Sequence, residues 1–392
     1  MSKRKTLFRQ VAGGERVNIL SVPNREVFIT NRSRRQLLLE NQSQLHWSTI
    51  LAFLHKRPLP LPKLEMAPIT LAGSADSKNK FEDLSGIDTA KYANPYDALI
   101  EACHDDPVEI QAKYATHRET RNAQQKAKIL APDFQEMILD TVLQKLENPN
   151  IEPGFEDPRH CLVFWARPPQ HIKALVGTIQ QKLLALAPKL WLMPQLKCHL
   201  TALEITHSLT SPEITSILNQ LGTSTISTMT DYPLQHRARL IKPMLSYDAA
   251  AVALSFLPAA GESLSSNAEP SSRNPRTAQD DSFTYHHLRQ SMFTIARSTG
   301  ISVDSRYVVP SSHITVGRFL TQEDHDTPEK RQAWIDLIEE INVWLKEEYW
   351  PREGAGRNEN GEWVVGQEKG LDCRRGQLWY GGGETVMLGK GF

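Results

Sequence analysis

Apolar positions are patterned unevenly along the chain, and the pattern changes near residue 95. Residues 1–94 show little periodicity and contain a Leu-Pro repeat and a Gly-Ser-rich stretch, which are typical of linkers. We therefore expect residues 1–94 to be an N-terminal arm of low order. Residues 95–150 predict a small helical preface, because apolar residues recur there at helical spacing. The clearest set is Phe134, Met137, Ile138, Val142 and Leu146.

In residues 151–392 short apolar runs alternate with amphipathic stretches. Residues 162–166 read as a buried strand, and the helical face that follows them ends before Pro188. Residues 258–282 are rich in Pro, Ser and Asn and predict a surface loop or disordered insert. Further strands are predicted near residues 196–205, 239–246, 250–257, 313–319, 363–365, 378–380 and 386–388, and further helices near residues 211–221, 288–295 and 334–345.

This order of elements predicts an α+β fold for residues 151–392. It indicates two similar halves joined through the insert, with helices packed on a mostly antiparallel sheet. The N-terminal arm and the helical preface would precede this domain.

Composition and charge narrow the function. The chain has 45 Lys and Arg against 45 Asp and Glu, so it lacks the basic surplus that coating a long nucleic acid requires. No apolar run approaches the roughly 18 residues of a membrane span. The 4 cysteines have no CxxC or zinc-type spacing, which favours reduced thiols in an intracellular protein.

The N terminus is basic and has no apolar core of the secretory type. A mitochondrial transit peptide could share its Arg-rich composition, but a disordered basic arm is the simpler interpretation. We expect a cytoplasmic or nuclear protein, with a mitochondrial location as the weaker alternative.

One tripeptide, H-x-T, occurs twice inside apolar strands, as His199-Leu200-Thr201 and as His313-Ile314-Thr315. Residues two apart in a strand point to the same face, about 6.5 Å from each other. Each copy therefore presents an imidazole beside a hydroxyl. If the two strands are near each other, two imidazoles and two hydroxyls face a shared groove.

Such a groove suits phosphodiester chemistry without a metal. One histidine can take a proton from the attacking oxygen while the other gives one to the leaving oxygen. The threonine hydroxyls can donate hydrogen bonds to the phosphate oxygens. The sequence leaves open which histidine is the acid, and taken singly His199 and His313 could each be an ordinary core or edge-strand histidine.

A third H-x-T, His325-Asp326-Thr327, lies in a different context. It is surrounded by acidic residues and followed by Pro328, so Thr327 is better interpreted as the N-cap of the helix that follows. We therefore exclude this copy from the site.

The two strand-borne motifs, H-L-T-A and H-I-T-V, resemble those of the two-histidine (2H) phosphoesterase superfamily. That superfamily includes 2′–5′ RNA ligases and 2′,3′-cyclic nucleotide phosphodiesterases. Residues 157–166, 203–207 and 306–313 are similar to a fungal branch described as RNA ligase/cyclic nucleotide phosphodiesterase-like proteins. The resemblance covers roughly residues 95–392.

This resemblance implies two pseudo-symmetric lobes of mostly antiparallel sheet with outer helices, and a cleft between them that holds both motifs. It implies proton transfer by His199 and His313, and phosphate binding by Thr201 and Thr315. We expect neither a metal nor another cofactor.

The expected activity is the opening of a 2′,3′-cyclic phosphate on a nucleotide or at an RNA 3′ end, by a monomer with no membrane partner. One alternative is the reverse reaction, 2′–5′ RNA ligation. A second is a protein that binds RNA ends or nucleotides without turnover.

Two residues near the second motif are further candidates. Tyr307 could stack on a base, although a half-buried core tyrosine is an equal interpretation. Arg318 is five residues from His313, so strand alternation places it on the opposite face and predicts an ion-pair partner instead.

Two groups of basic residues complete the candidates. The cluster of His236, Arg237, Arg239 and Lys242 could guide a phosphate backbone or could be a solvated strand edge. His286-His287 has no matching Cys or carboxylate in the sequence, so we predict no metal site there.

Overall fold

The computed structural model describes residues 11–12, 15–16, 18–22, 25–29, 68–71, 82–262, 277–352 and 358–392. The chain divides into two units, Met1–Glu65 and Met66–Phe392. Most of the predicted low-order arm therefore lies outside the described residues. The first unit contains two antiparallel strand pairs, β1 (Val11–Ala12) with β2 (Glu15–Arg16) and β3 (Asn18–Val22) with β4 (Arg25–Ile29).

In the described part of the second unit, three α-helices precede the first strand and five lie between strands. They are α1 (Asp97–Ala102), α2 (Pro107–Ile129), α3 (Thr141–Glu147), α4 (Gln170–Leu184), α5 (Ser211–Leu221), α6 (Thr223–Thr230), α7 (Tyr285–Ser298) and α8 (Pro328–Tyr349).

Nine strands of the described second unit form one curled antiparallel sheet. Its order is β11-β8-β9-β10-β7-β5-β12-β13, and β6 also pairs with β10. The strands are β5 (His160–Ala166), β6 (Trp191–Leu192), β7 (Leu200–Leu209), β8 (Arg239–Tyr247), β9 (Ala251–Pro258), β10 (Ser312–Arg318), β11 (Trp363–Val364), β12 (Lys369–Gly376) and β13 (Glu384–Lys390).

Helices pack on this sheet and enclose a continuous hydrophobic core. Helix α2 lies against β8 and β9, α8 against β8, α7 against β7, and α6 against β12 and β13. The mixed α+β class predicted from the sequence is therefore confirmed.

The predicted preface, residues 95–150, contains the three helices α1, α2 and α3, but the apolar face predicted within it does not form one helix. The apolar spacing predicts helix after Pro132, yet the helix there is only α3, which begins at Thr141 after its N-cap Asp140. The segment before it hydrogen-bonds to other parts of the fold instead: the Ile138 amide donates to the Ala249 carbonyl at 2.7 Å. Long-range backbone bonds therefore override the local periodicity.

The predicted insert, residues 258–282, has narrower limits than its composition indicates. Pro258 belongs to β9, and Asp281 is buried. The Arg239 guanidinium donates to Asp281 and, at 2.7 Å, to the Glu262 carbonyl, which fastens both ends of the segment to β8. Residues 263–276 lie outside the described residues.

At the C terminus the strand predicted near residues 378–380 is instead a turn between β12 and β13. Strand β12 carries Arg374 and Arg375 at positions that lack the alternation of a strand, which is why the pattern did not predict it.

Candidate active site

The two H-x-T strands are direct neighbours at the middle of the sheet. Strands β7 and β10 are antiparallel, with Leu200 paired to Ile314. Continuing this register by one residue in each direction places His199 opposite Thr315 and Thr201 opposite His313. Residues directly opposite each other have Cβ atoms about 5 Å apart. The four predicted site residues therefore form one compact square.

All four side chains line a single cleft of about 180 Å³. Strand β9 borders the square on one side, where Ser255 pairs with His313, and β5 borders it on the other, where Trp165 pairs with Thr201. The predicted histidines and threonines are thus brought together, each partly accessible from the cleft.

The imidazole of His199 is fixed by an aromatic ring and a backbone carbonyl. It stacks on the indole of Trp165, with centroids 3.8 Å apart and planes 17° apart. Its Nδ1 lies 2.8 Å from the Lys197 carbonyl oxygen. Because a carbonyl only accepts, Nδ1 carries the proton and Nε2 of the neutral ring is left as an acceptor. Burial lowers the pKa of His199 to about 3, and the nearby Arg167 guanidinium acts in the same direction.

His313 has different neighbours. Its Nδ1 lies 2.9 Å from the Ser311 hydroxyl, and its ring centroid lies 5.9 Å from that of Tyr307. A hydroxyl can donate to Nδ1, which leaves the proton on Nε2. Burial is the largest cause that lowers the pKa of His313 to about 4, followed by the positive charge of Arg121.

Arg318 lies on the same side of the sheet as His313, contrary to the strand-alternation prediction. A register shift between Thr315 and Gly317 places an extra residue in β10, so the alternation is interrupted and Arg318 lines the cleft. A Cβ at Gly317 would lie 2.9 Å from the Trp191 carbonyl oxygen, so this close approach requires glycine. A glycine inside the strand was the sequence signal for the bulge.

The predicted ion pair of Arg318 is confirmed. Its Nη1 lies 3.2 Å from Oδ2 of the buried Asp140, whose Oδ1 accepts a 2.7 Å hydrogen bond from the Tyr380 hydroxyl. Asp140 therefore holds a cation and an aromatic ring at the edge of the cleft.

Two further arginines of the cleft, Arg306 and Arg121, are paired with carboxylates. The Arg306 guanidinium makes a two-pronged pair with Glu204, at 2.6 and 3.1 Å, and lies 4.3 Å from the ring centroid of Trp379. Burial raises the pKa of the cleft-lining Cys161 to about 12, so this thiol stays protonated and is a poor nucleophile.

Tyr307 lines the cleft next to His313, as a base-stacking candidate should, and is also half-buried. The third H-x-T is separate from the site. His325 is buried between Phe319 and Trp334, with ring centroids at 4.9 and 4.8 Å, and Thr327 caps α8 as predicted.

The basic cluster near β8 is neither a backbone guide nor a solvated edge. Arg239 is buried and paired with Asp281, while Lys242 pairs with Glu262 at 2.6 Å. Both charges are therefore neutralised by ion pairs within the protein. His236 stacks on Tyr232 at 4.0 Å.

The two adjacent histidines of α7 also have partners that the sequence did not reveal. His286 bonds to the Tyr114 hydroxyl at 3.0 Å, and His287 bonds to the Asp105 carboxylate at 2.7 Å. A carboxylate partner therefore exists for His287, although we predicted none. Among the described residues no group of three or more His, Cys, Asp and Glu side chains is placed to hold a metal ion.

The sequence interpretation missed two parts of the site. Trp165 belongs to a strand whose positions 161, 163 and 165 share the cleft-lining face. Helix α2 contributes a row of side chains at helical spacing. Most of them are polar, so the apolar pattern of the sequence did not identify this face as buried. They are Tyr114, His117, Arg118 and Arg121.

Comparison of the chain with models of known protein families found no match, and comparison with curated proteins found none either. Within the described ranges, no helix combines the length and the apolar character needed to cross a membrane.

Proposed function

We propose that this protein is a phosphodiesterase of the two-histidine type that opens 2′,3′-cyclic phosphates of nucleotides or RNA ends without a metal. The observation that carries the proposal is the register of β7 and β10, which sets two imidazoles and two hydroxyls around one point of a cleft. Four hydrogen-bonding groups so arranged match the needs of a single phosphate.

The sheet order also supports the two-lobed fold of that superfamily. The line between the two H-x-T strands, β10 and β7, divides the sheet into two halves of four strands. One half contains β11, β8, β9 and β10, and the other contains β7, β5, β12 and β13. Each half contributes one H-x-T strand at the midline. We propose that these halves correspond to the two pseudo-symmetric lobes.

In the proposed reaction His199 is the base and His313 is the acid. Nε2 of His199 accepts a proton from water as the water oxygen bonds to phosphorus. The bond from phosphorus to one ribose oxygen breaks, and Nε2–H of His313 protonates that oxygen. The product is a nucleotide with a phosphate monoester. The hydrogen bonds of the two Nδ1 atoms support this direction.

The lowered pKa values make both histidines neutral near pH 7 in the free protein, which suits the base His199. The acid His313 must be protonated, and a bound anionic phosphate provides the reason. A nearby negative charge favours the protonated imidazole, so the phosphate raises the pKa of His313 and lets it act as an acid. Thr201, Thr315 and Arg318 would bind the non-bridging oxygens, where negative charge builds up in the transition state.

The test is hydrolysis of a 2′,3′-cyclic nucleotide in the presence of EDTA. We expect the wild type to retain activity and His199→Ala and His313→Ala each to lose about 10²–10⁴-fold in kcat. His104→Ala is the matched control, because His104 is an exposed histidine far along the chain from both motifs.

Each other outcome has a clear meaning. Loss of wild-type activity in EDTA would contradict the metal-free mechanism. Full activity of either site variant would contradict the two-histidine mechanism. Tight binding of cyclic nucleotides and short RNAs without turnover would favour the alternative, a protein that binds RNA ends or nucleotides without catalysis.

A further inference from the structure

Helix α2 forms one wall of the cleft and brings cationic and polar side chains to it. Residues 114, 117, 118 and 121 follow the spacing of one helical face and all line the cleft. The β8–β9 hairpin, against which α2 packs, forms the floor of this part of the cleft. This α2 side of the cleft lies next to His313, because Ser255 of β9 is the cross-strand partner of His313.

The most unusual side chain on this wall is Arg118. It is 4% exposed, and no carboxylate among the described residues lies within ion-pair distance of it. Its Nη1 donates to the Lys242 carbonyl at 2.8 Å, whereas Nε and Nη2 have no hydrogen-bond partner among the described residues. The guanidinium also lies 5.5 Å from the ring centroid of Trp350, a neutral partner that does not compensate its charge. A buried cation without a counter-ion is costly, so such a group calls for an anion.

Two neighbours on the same face provide further donors. The Leu84 amide donates to Nδ1 of His117 at 3.0 Å, so the proton of the neutral His117 ring is on Nε2. Nη2 of Arg121 lies 2.6 Å from Asp248, and this guanidinium is partly exposed. The acidic groups on this side are Asp248, which pairs with Arg121, and the exposed Glu82. A further carboxylate, Asp83, has its Oδ1 3.7 Å from Nδ1 of His117.

The floor of the α2 side is built from small residues. Ala251, Ala253, Ser246 and Ser255 line the cleft there. The Ser255 hydroxyl donates to the Met244 carbonyl at 2.9 Å and accepts from Ser246 at 2.8 Å. Small side chains leave room between the sheet and α2 for a tetrahedral group beside the reacting phosphate.

We propose that the α2 side of the cleft is a second anion subsite, which binds a phosphate of the substrate other than the one that reacts. This inference rests on the proposed function. It narrows the substrate class to nucleotides that carry a further phosphate on the 5′ oxygen of the reacting ribose. In an RNA with a cyclic 3′ end, that group is the phosphodiester to the preceding nucleotide.

The test compares a nucleoside 2′,3′-cyclic phosphate with the same compound carrying a 5′-phosphate and with a dinucleotide that ends in the cyclic phosphate. The readout is the ratio of kcat/KM between each phosphorylated substrate and the plain one. A charge-assisted hydrogen bond implies a ratio of roughly 10 to 100 in the wild type. A larger ratio for the dinucleotide identifies an RNA end, and a larger ratio for the 5′-phosphate identifies a mononucleotide.

Arg118→Met and Arg121→Gln should bring the ratio towards 1. Arg375→Gln is the control, because Arg375 is paired with Glu384 on β13 and does not line the cleft. A wild-type ratio near 1, or an unchanged ratio in a folded Arg118→Met variant, would overturn the subsite. Arg121 is partly exposed, so Arg121→Gln tests the proposal even if Arg118→Met does not fold.

A binding experiment separates this inference from the proposed function. Calorimetry would compare a nucleoside 2′-phosphate with a nucleoside 2′,5′-bisphosphate. If the bisphosphate binds at least tenfold more tightly and Arg121→Gln removes that advantage, the subsite stands even where no cyclic phosphate is turned over. If cyclic phosphates are hydrolysed but the 5′-phosphate changes neither binding nor turnover, the subsite is wrong and the proposed function is untouched.

Discussion

His199 and His313 occupy equivalent positions in the same tripeptide on paired strands, but their surroundings differ. His199 stacks on Trp165 and has its Nδ1 at a backbone carbonyl. His313 has its Nδ1 at the Ser311 hydroxyl and lies beside Tyr307. The motif therefore fixes where each imidazole is, while residues outside the motif determine the hydrogen-bond partner of each Nδ1.

This difference gives the symmetric motif a direction. A carbonyl partner compels Nδ1 of His199 to be the donor, whereas a hydroxyl partner of His313 can turn either way. A base and an acid can thus arise from two copies of one sequence. The following experiments test that distinction.

The largest effect should come from changing the leaving group. On a cyclic phosphate, His199→Ala and His313→Ala should both lose about 10²–10⁴-fold in kcat. On a p-nitrophenyl ester of the nucleotide, only His199→Ala should show that loss, because nitrophenolate departs without a proton. The check is steady-state kinetics on both substrates. If the nitrophenyl ester restored the kcat of both variants equally, the assignment of His199 as base and His313 as acid would be wrong.

A smaller effect is expected from the aromatic neighbours. Trp165→Leu should lower kcat about tenfold and admit water to His199, which raises the lowered pKa of that base towards its ordinary value. Since the base must be unprotonated, the acidic limb of the kcat profile should move to higher pH. Trp165→Phe should restore most of the rate.

Tyr307→Leu is the matched comparison, because Tyr307 lies beside the other histidine. It should leave the acidic limb where it is in the wild type. A shift of that limb in Tyr307→Leu, or its absence in Trp165→Leu, would show that the two histidines are not distinguished by their aromatic neighbours.

The pH profiles of kcat and kcat/KM should also differ. The free protein has the pKa of His199 lowered to about 3 and that of His313 to about 4. A bound phosphate anion raises both, so the kcat profile should lie about one pH unit or more above that of kcat/KM. Coincident profiles measured from about pH 2.5 to 9, which spans both pKa values, would mean that the phosphate does not contact the imidazoles.

The third H-x-T histidine should affect stability and leave turnover unchanged. Burial lowers the pKa of His325 to about 4, below its ordinary value near 6.5 in the unfolded chain. Acidification therefore protonates the unfolded state first, and stability is lost as the pH falls from about 6.5 towards 4.

For His325 this loss amounts to about 2 kcal/mol of unfolding free energy between pH 7 and pH 5. His325→Phe should remove that share of the pH dependence in urea denaturation at the two pH values. The wild type measured under the same conditions is the reference. An unchanged slope in His325→Phe would show that the buried ring is protonated in the folded state.

Much of this architecture was predictable because period-two and period-3.6 patterns report burial directly. Residues 162–166 and 239–246 lie in strands as predicted, the strand predicted over 250–257 begins one residue later, and the four H-x-T side chains line one cleft. What local patterns cannot report is which strands are neighbours. The β7–β10 pairing joins residues more than a hundred positions apart.

Failures occurred where tertiary contacts override the local pattern. The bulge before Arg318 reverses its face, and the hydrogen bond of Ile138 to Ala249 replaces helix by extended chain. Helix α2 was underestimated because its buried face carries His117 and Arg118, polar residues that a search for an apolar stripe discards.

The contacts of Arg239 with Glu262 and Asp281 indicate where an insertion into the chain would be tolerated. Because the buried Arg239 guanidinium bonds to both Glu262 and Asp281, these two described residues are held at β8 without any contribution from residues 263–276. Lengthening a chain segment whose two ends are already held costs only about 0.6 kcal/mol per doubling of its length. Residues 263–276 are therefore a suitable position for a fluorescent reporter or an affinity tag, away from both chain termini.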